Sequence, residues 1–371
     1  MSSPLPPTAI AVIGAGNAGY AMAAHLALEG YAVRLYEMPA FAQNLDPIRQ
    51  QGGIRLTGVV GEGLAKLERI TSDIEEAVSG ASHVFVVTQA IAHEMIADLC
   101  APHVETGQSY VIFPGSGGSL VFANSFRAAG VLDGVFLAET VTLPYSCRIR
   151  EPGWVNVHAG PGVREVIGVF PARATDAVVA NLRAIYPMLT PARHVLEVAL
   201  YNPNLLLHPI GVIFNLGRIE YANGEFWMYR EGFTPSVMKI LRSLESERVA
   251  LLRKLGVEPM DFETFYTYRY GDKWENFAAV SSKGPASAAT RYISEDIPMG
   301  MVLLSSLGTL LDVPTPTADA LIHLGSVIHD TDYRTPGRTI ARLGLGGRSA
   351  EEILHYLNDG SLPAHTTEKS V

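Results

Sequence analysis

The segment NPNLLLHPIGVIFN, residues 202–215, sets one histidine and three asparagines in an otherwise apolar run. A polar group left unpaired in a core costs about 1–3 kcal/mol. His208, Asn202, Asn204 and Asn215 therefore either satisfy one another silently or face a site. Imidazole is the side chain best suited to moving a proton near neutral pH. If residues 204–215 form one helix, Asn204, His208, Gly211 and Asn215 share a face while Leu205, Leu206, Ile213 and Phe214 pack elsewhere. Pro209 complicates this, because it removes a backbone donor and can kink or start a helix. Asp296, in TRYISEDIPMG, is the carboxylate that could orient the imidazole and stabilise its protonated form. It also precedes Pro298 by two residues at a helix start, where an aspartate is a good N-cap.

A second constellation is glycine-rich. VIGAGNAGYA supplies Gly14, Gly16 and Gly19 between a predicted strand and a predicted helix. Gly14 permits the tight turn, Gly16 carries no Cβ to block a pyrophosphate at the helix N-terminus, and Gly19 lets helix and strand pack closely. Asn17 and Ala18 complete the turn that would hold the dinucleotide. Glu37 closes the next strand about 20 residues on, where an acid accepts from the ribose hydroxyls of NAD. MPAFAQN after it holds no Lys or Arg, so NAD is favoured, with NADP possible. The flavin signatures that accompany this fingerprint in FAD proteins do not fit. There is no ATG turn, and the GD at Gly271 and Asp272 follows an aromatic, helical stretch.

Another turn, FPGSGGSL over residues 113–120, also follows a strand. Its N–H groups, with Ser116 among them, could hold a carboxylate or line the nicotinamide side of a cleft; a flexible βα loop is the alternative. HDTD, residues 329–332, looks like a metal cluster but matches no ligand spacing, and reads as a helix end with polar turn residues. No Tyr-x-x-x-Lys and no cysteine cluster occur, against a short-chain or zinc alcohol dehydrogenase. The aromatic residues of DFETFYTYRYGDKW, residues 261–274, could pad a pocket, although helix packing accounts for most of them.

These groups need a scaffold, and the chain has the size for two domains. Its 371 residues are 48% hydrophobic and 18% charged. A net charge of −9 with no basic run argues against nucleic-acid and anionic-membrane partners. The two cysteines, Cys100 and Cys147, are too few for a disulfide scaffold and fit a reducing compartment. MSSPLPPT lacks the features of a signal peptide, and no apolar run reaches the roughly 18–20 residues of a membrane span, so a cytoplasmic protein is expected.

Residues 10–14, 31–37, 83–88, 110–115 and 134–140 read as strands alternating with helices, with a short antiparallel excursion at GIRLTG and further strands at WVNVHAG and EVIGVF. The rhythm predicts an α/β, Rossmann-type, mostly parallel sheet with helices on both faces over residues 1–190. From 191 to 371 the pattern is helical, and residues 192–222 read as helix throughout. In the stretch after Thr234, Val237, Leu241, Leu244 and Leu251 share one face, and Glu245 and Arg248 can pair on the exposed side. The tail LPAHTTEKSV is polar and expected to fray.

Several segments, in order along nearly the whole chain, resemble the bacterial opine dehydrogenases. The likeness is strongest to the N-(1-carboxyethyl)norvaline type and extends to octopine and nopaline dehydrogenases. The segments are VIGAGNAG, PGSGG, TLPYSCR, NLLLHPIGVIFNLGRIE, GFTPSV, and TRYISEDIPMGMVLLSSLGTLLDVPTP followed by HDTDYRTPGRT. The resemblance implies a dinucleotide domain and a helical domain with the site between them. It also implies NAD(P)H-dependent condensation of an amino acid or amine with a 2-oxo acid such as pyruvate, through an imine reduced to a secondary amine. By motif position His208 matches the catalytic histidine, Asp296 its partner, and Arg291 an arginine that reaches the cofactor pyrophosphate. Thr142 and Cys147 match positions near the substrate, with Asn204 and Ser116 beside them. Arginine-using members carry an acid immediately before TLP, where this chain has Val141, with Glu139 two residues earlier; a neutral or apolar amine is therefore expected. A homodimer is possible. Two readings stand beside this one, a 2-hydroxy-acid or related alcohol dehydrogenase on the same plan and a non-catalytic NAD-binding protein.

Overall fold

The structure is a computed structural model that describes residues 8–271, 277–278 and 283–362. The amino-terminal MSSPLPP, Asp272 to Trp274 of the aromatic stretch, and the tail beyond Leu362 lie outside the described residues.

Twelve strands occur among the described residues: β1 (Ala9–Ile13), β2 (Ala32–Tyr36), β3 (Ile54–Gly58), β4 (Gly63–Ala65), β5 (Arg69–Thr71), β6 (His83–Val86), β7 (Ser109–Ile112), β8 (Phe136–Thr140), β9 (Ser146–Glu151), β10 (Trp154–Ala159), β11 (Glu165–Phe170) and β12 (Leu189–Pro191). Eight form one sheet in the order β12-β11-β8-β7-β6-β1-β2-β5. All its neighbours run parallel except β8 and β11, which pair antiparallel. The order reverses at β1, between β2 and β6, which leaves a crevice at the carboxyl ends of those strands. Alternation along β1 feeds two cores. Ala11 and Ile13 join the cluster that continues into the helices, while Ile10 and Val12 face the other side.

A second sheet, β4-β3-β10-β9, was only partly foreseen. GIRLTG does pair antiparallel with β4, but it also pairs parallel with WVNVHA, which leaves the main sheet altogether. Helix Asn17–Leu28 packs against both sheets, so Ala21, Ala23 and Ala24 are fully buried. Small residues are what let a helix fit between two sheets.

Beyond β12 the elements are helical. The stretch expected to be continuous is broken into Val195–Tyr201, Pro203–Ile213 and Leu216–Ala222. Asn202 ends the first and caps the second, and the second runs through Pro209. Helix Pro235–Lys254 buries Val237, Leu241, Leu244 and Leu251 as its spacing requires. Glu245 and Arg248 do pair, at 2.5 Å, but not on the surface: the Arg248 side chain is 0% exposed and lies over the Tyr201 ring. Burying a guanidinium is costly unless it is paired, and Glu245 supplies that pairing. The last helix, Ala350–Asp359, does not stay with the other helices but packs on β11, with Tyr356 against Phe170 at 4.8 Å between ring centroids.

Candidate active site

The glycine-rich turn follows β1. Gly14 has φ +110°, and a Cβ on Gly19 would lie 1.6 Å from the Gly14 carbonyl oxygen, so both positions demand glycine. Around Gly16 a Cβ would meet nothing within 4 Å. Gly16 also caps helix Asn17–Leu28 without a side-chain hydrogen bond, so the first-turn N–H groups face open space, as a pyrophosphate requires. The Glu37 carboxylate, at the end of β2, accepts from Ala15 N at 3.0 Å and Met38 N at 2.8 Å. The acid is thereby fixed beside the turn.

Asn17 and Cys147 tie this turn to β9. Asn17 Oδ1 accepts from Ile149 N at 2.6 Å, and the Cys147 thiol donates to the Asn17 carbonyl at 3.2 Å. Burial pushes that thiol up to about 11, so it stays protonated and able to donate.

A cleft of about 770 Å³ opens at the carboxyl edge of the sheet. One wall consists of the loops after β1, β6, β7 and β8, with the start of helix Asn17–Leu28 and of β9; Gly16, Asn17, Ala18, Ser116, Thr142 and Cys147 are among its residues. Asn202, Asn204, Arg291, Tyr292 and Asp296 form the facing wall. Most of the candidate residues therefore converge on one space; His208, Gly14, Gly19 and Glu37 are not part of its lining.

His208 Nδ1 lies 2.7 Å from Asp296 Oδ2. Asp296 sits at the N-cap of the turn Ile297–Met301 but makes no capping hydrogen bond, so the carboxylate serves the imidazole instead. The Tyr292 ring stacks on His208, with centroids 3.6 Å apart and planes at 12°. The pair is nearly enclosed, with side chains 4% and 11% exposed. Asp296, Tyr292 and Asn204 line the cleft, and His208 lies behind them, off its surface.

The proposed polar stripe needs correction. Its helix stops at Ile213, and Asn215 lies beyond it, donating to the Gly211 and Gly232 carbonyls. Gly211 makes room for Met228, whose Sδ would be 2.8 Å from an added Cβ, rather than for a ligand. Only Asn204 and His208 of that face belong to the site. Asn202 joins them from the cap, since its side chain accepts from Asn204 N at 3.0 Å and donates to Ser116 Oγ at 2.9 Å.

The second glycine-rich turn is not an open anion site. The Glu139 carboxylate occupies it, accepting from Gly117 N at 2.9 Å, Ser119 N at 2.9 Å and the Ser119 hydroxyl at 2.7 Å. Burial raises the Glu139 carboxyl, and those hydrogen bonds oppose the rise. Below the loop Arg338 donates to the carbonyls of Gly115, Ser116 and Ala90. Burial pulls its guanidinium down to about 10, which leaves it charged at neutral pH. From the sequence Glu139 stands out only as the acid two residues before Val141, and Arg338 not at all, because no local spacing connects it to a loop 222 residues away.

Thr142 lines the cleft inside a further buried group. Its hydroxyl donates to Glu165 Oε2 at 2.9 Å and accepts from Arg269 Nη2 at 2.7 Å. Arg269 and Glu165 pair at 2.6 Å with both side chains 1% exposed. Burial raises the Glu165 carboxyl, and Arg269 counters it. Arg291 is half exposed on the cleft wall, 3.4 Å from Glu295, whose other oxygen accepts from Ala90 N at 2.8 Å. HDTD is the end of helix Pro316–Ile328, where His329 bonds the Ala288 carbonyl and Asp332 accepts from Arg334 N.

Residues 191–329 match the α-helical domain of the NAD/NADP octopine/nopaline dehydrogenases. An opine dehydrogenase of Arthrobacter sp. (strain 1C) is 34% identical over 352 residues, covering 92% of this chain and 97% of its own. A vitopine synthase of Allorhizobium ampelinum is 26% identical over 94% of this chain and 99% of its own. An octopine dehydrogenase structure with NADH and L-arginine superposes with a TM-score of 0.77 at 20% identity, covering 96% of this chain and 99% of the other. A dinucleotide-type turn, an enclosed histidine–aspartate pair and this end-to-end likeness agree: the chain belongs to the opine dehydrogenase family, oxidoreductases that act on CH–NH donors.

Proposed function

We propose that this protein condenses the amino group of an amino acid or amine with a 2-oxo acid such as pyruvate and reduces the resulting imine to a secondary amine at the expense of NAD(P)H. The observation that carries the reading is the 2.7 Å His208–Asp296 contact behind the wall of a cleft that the glycine-rich turn opens into. Gly14, Gly16, Asn17, Ala18 and Gly19 would hold the dinucleotide, with Glu37 at the ribose and Arg291 at the pyrophosphate. When bound, the nicotinamide supplies the hydride.

His208 moves the proton. With Nδ1–H held by Asp296, Nε2 is the exchanging nitrogen. In the reductive direction protonated His208 gives its proton to the reaction as the imine becomes an amine. In the oxidative direction it accepts one as water adds to the imine. Asp296 keeps the ring oriented and offsets its charge, and stacked Tyr292 fixes its plane. Thr142, Cys147, Asn204 and Ser116 border the substrate space.

NAD rather than NADP is supported by the Glu37 carboxylate, which would repel a 2′-phosphate at that position. A neutral or apolar amine is supported by the burial of Glu139 and Val141, which leaves no free acid before TLP for a guanidinium.

The test is NADH consumption by the purified protein with pyruvate, alone and with a panel of neutral and basic amino acids. Loss of NADH only when both are present, and fastest with neutral amines, is expected. Loss with pyruvate alone would replace this reading with a hydroxy-acid dehydrogenase.

A further inference from the structure

Arginine presents five N–H donors. In Arg269, Nε donates to the Arg164 carbonyl at 3.0 Å, and Nη2 donates to Thr142 Oγ1 at 2.7 Å and Glu165 Oε2 at 2.6 Å. That leaves both donors of Nη1, which is enclosed without any hydrogen-bond partner. Among the described residues, the buried side-chain atoms left unpartnered include just two on the cleft wall, Thr88 Oγ1 and Arg269 Nη1, and the second carries charge. A buried cationic donor without an acceptor is costly, and an arriving anion removes the cost.

The other two cleft arginines are differently placed. Arg148 is exposed on β9 next to the dinucleotide turn and donates to the Cys147 carbonyl. Arg291 is 52% exposed and already has Glu295. Arg269 alone is locked, by Glu165 on one side and by the Tyr270 ring 5.1 Å away on the other, beside the Thr142 hydroxyl. A planar guanidinium fixed in this way suits a carboxylate.

We propose that Arg269 recognises the carboxylate of the 2-oxo acid, with Nη1 donating to it while Nη2 remains on Glu165 and Thr142. The inference rests on the reaction proposed above and adds the group that selects an acid over an uncharged carbonyl compound. Glu165 acts as a positioning residue that aims the fork. Thr142 then serves the substrate mainly through Arg269, since its hydroxyl already both donates to Glu165 and accepts from Arg269.

The experiment compares wild type with Arg269→Gln and Arg269→Lys, and with Glu165→Gln/Arg269→Gln, in which two neutral amides replace the ion pair should the single variant fail to fold. The substrates are pyruvate and its uncharged ester methyl pyruvate. The KM for pyruvate is expected to rise about 10- to 100-fold in Arg269→Gln and in the double variant, the loss of a charge-assisted hydrogen bond. The preference of wild type for pyruvate over the ester should disappear in both. Arg269→Lys keeps the charge without the fork and should fall between. NADH affinity, read from its fluorescence, should stay within about twofold. A folded Arg269→Gln or double variant with an unchanged KM and an unchanged preference for the acid would overturn the assignment while leaving the reaction intact. A wild-type protein that consumes no NADH with pyruvate and any amine would overturn the reaction, and this inference with it.

Discussion

His208 and Asp296 stand 88 residues apart in the chain and meet at 2.7 Å, with the imidazole lying flat against Tyr292. A carboxylate held on Nδ1 sets the tautomer and leaves Nε2 to exchange the proton. His208→Ala is therefore expected to lower kcat by about 10²- to 10⁴-fold, the usual worth of a positioned acid–base group. Dinucleotide binding should survive, since His208 lies outside the glycine-rich turn. Asp296→Asn preserves a hydrogen bond but removes the charge. Its kcat should fall below that of wild type, because the protonated imidazole has lost the charge that offsets it. Steady-state kinetics between pH 5 and 9 would show both effects, and wild-type turnover in His208→Ala would refute the assignment.

Glu37 accepts from Ala15 N, so its charge stands at the turn itself. Glu37→Gln keeps an acceptor and removes the repulsion of a 2′-phosphate. The ratio of kcat/KM for NADH to that for NADPH should fall about tenfold or more. An unchanged ratio would mean that cofactor choice is made elsewhere.

Glu139 fills the second glycine-rich loop and stands opposite Arg338. Glu139→Ala strands three donors and removes one of the carboxylates that offset the Arg338 charge, at a cost of about 3 kcal/mol or more. Glu139→Gln, which keeps an acceptor, should cost less. Denaturant melts of the two variants against wild type measure the order, and a Glu139→Ala protein as stable as wild type would contradict the hydrogen bonding described.

Two buried histidines make the fold acid-sensitive. His93 is lowered well below the ordinary histidine value by burial, with Arg338 adding to it, and His194 is lowered by burial. In both the folded form binds protons less readily than the unfolded chain. Between the folded pKa and the unfolded value of about 6.5 the unfolded state carries more protons, so stability rises with pH and is lost on acidification. Unfolding free energies should be level above about pH 7.5 and decline from about pH 6.5 downward. His194→Asn should make that decline shallower.

What could be read from the chain was local. The turn around Gly14, Gly16 and Gly19, the strands β1 and β2, and Glu37 are encoded within a few dozen consecutive residues, where period and spacing act directly. His208 and Asp296 could be named as candidates but joined only through a family resemblance, because nothing in either segment encodes a contact across 88 positions. Period-two alternation identified WVNVHA as a strand but could not say which sheet would take it. Helical spacing put Glu245 beside Arg248 correctly and exposed them wrongly, since the ring of Tyr201 that covers the arginine comes from another helix. Arg269 was passed over as one basic residue in an aromatic stretch. Its significance lies in Glu165 and Thr142, more than a hundred residues upstream.

The helix Ala350–Asp359 returns to the strand β11 after the chain has traversed the helices. The helices between Pro203 and Ile328 are thus joined to the sheet by two covalent crossings, one after Tyr201 and one before Ala350. A body on one tether can swivel in any direction. A body on two is held at both ends of its chain, which narrows the directions in which the walls of the cleft can move apart.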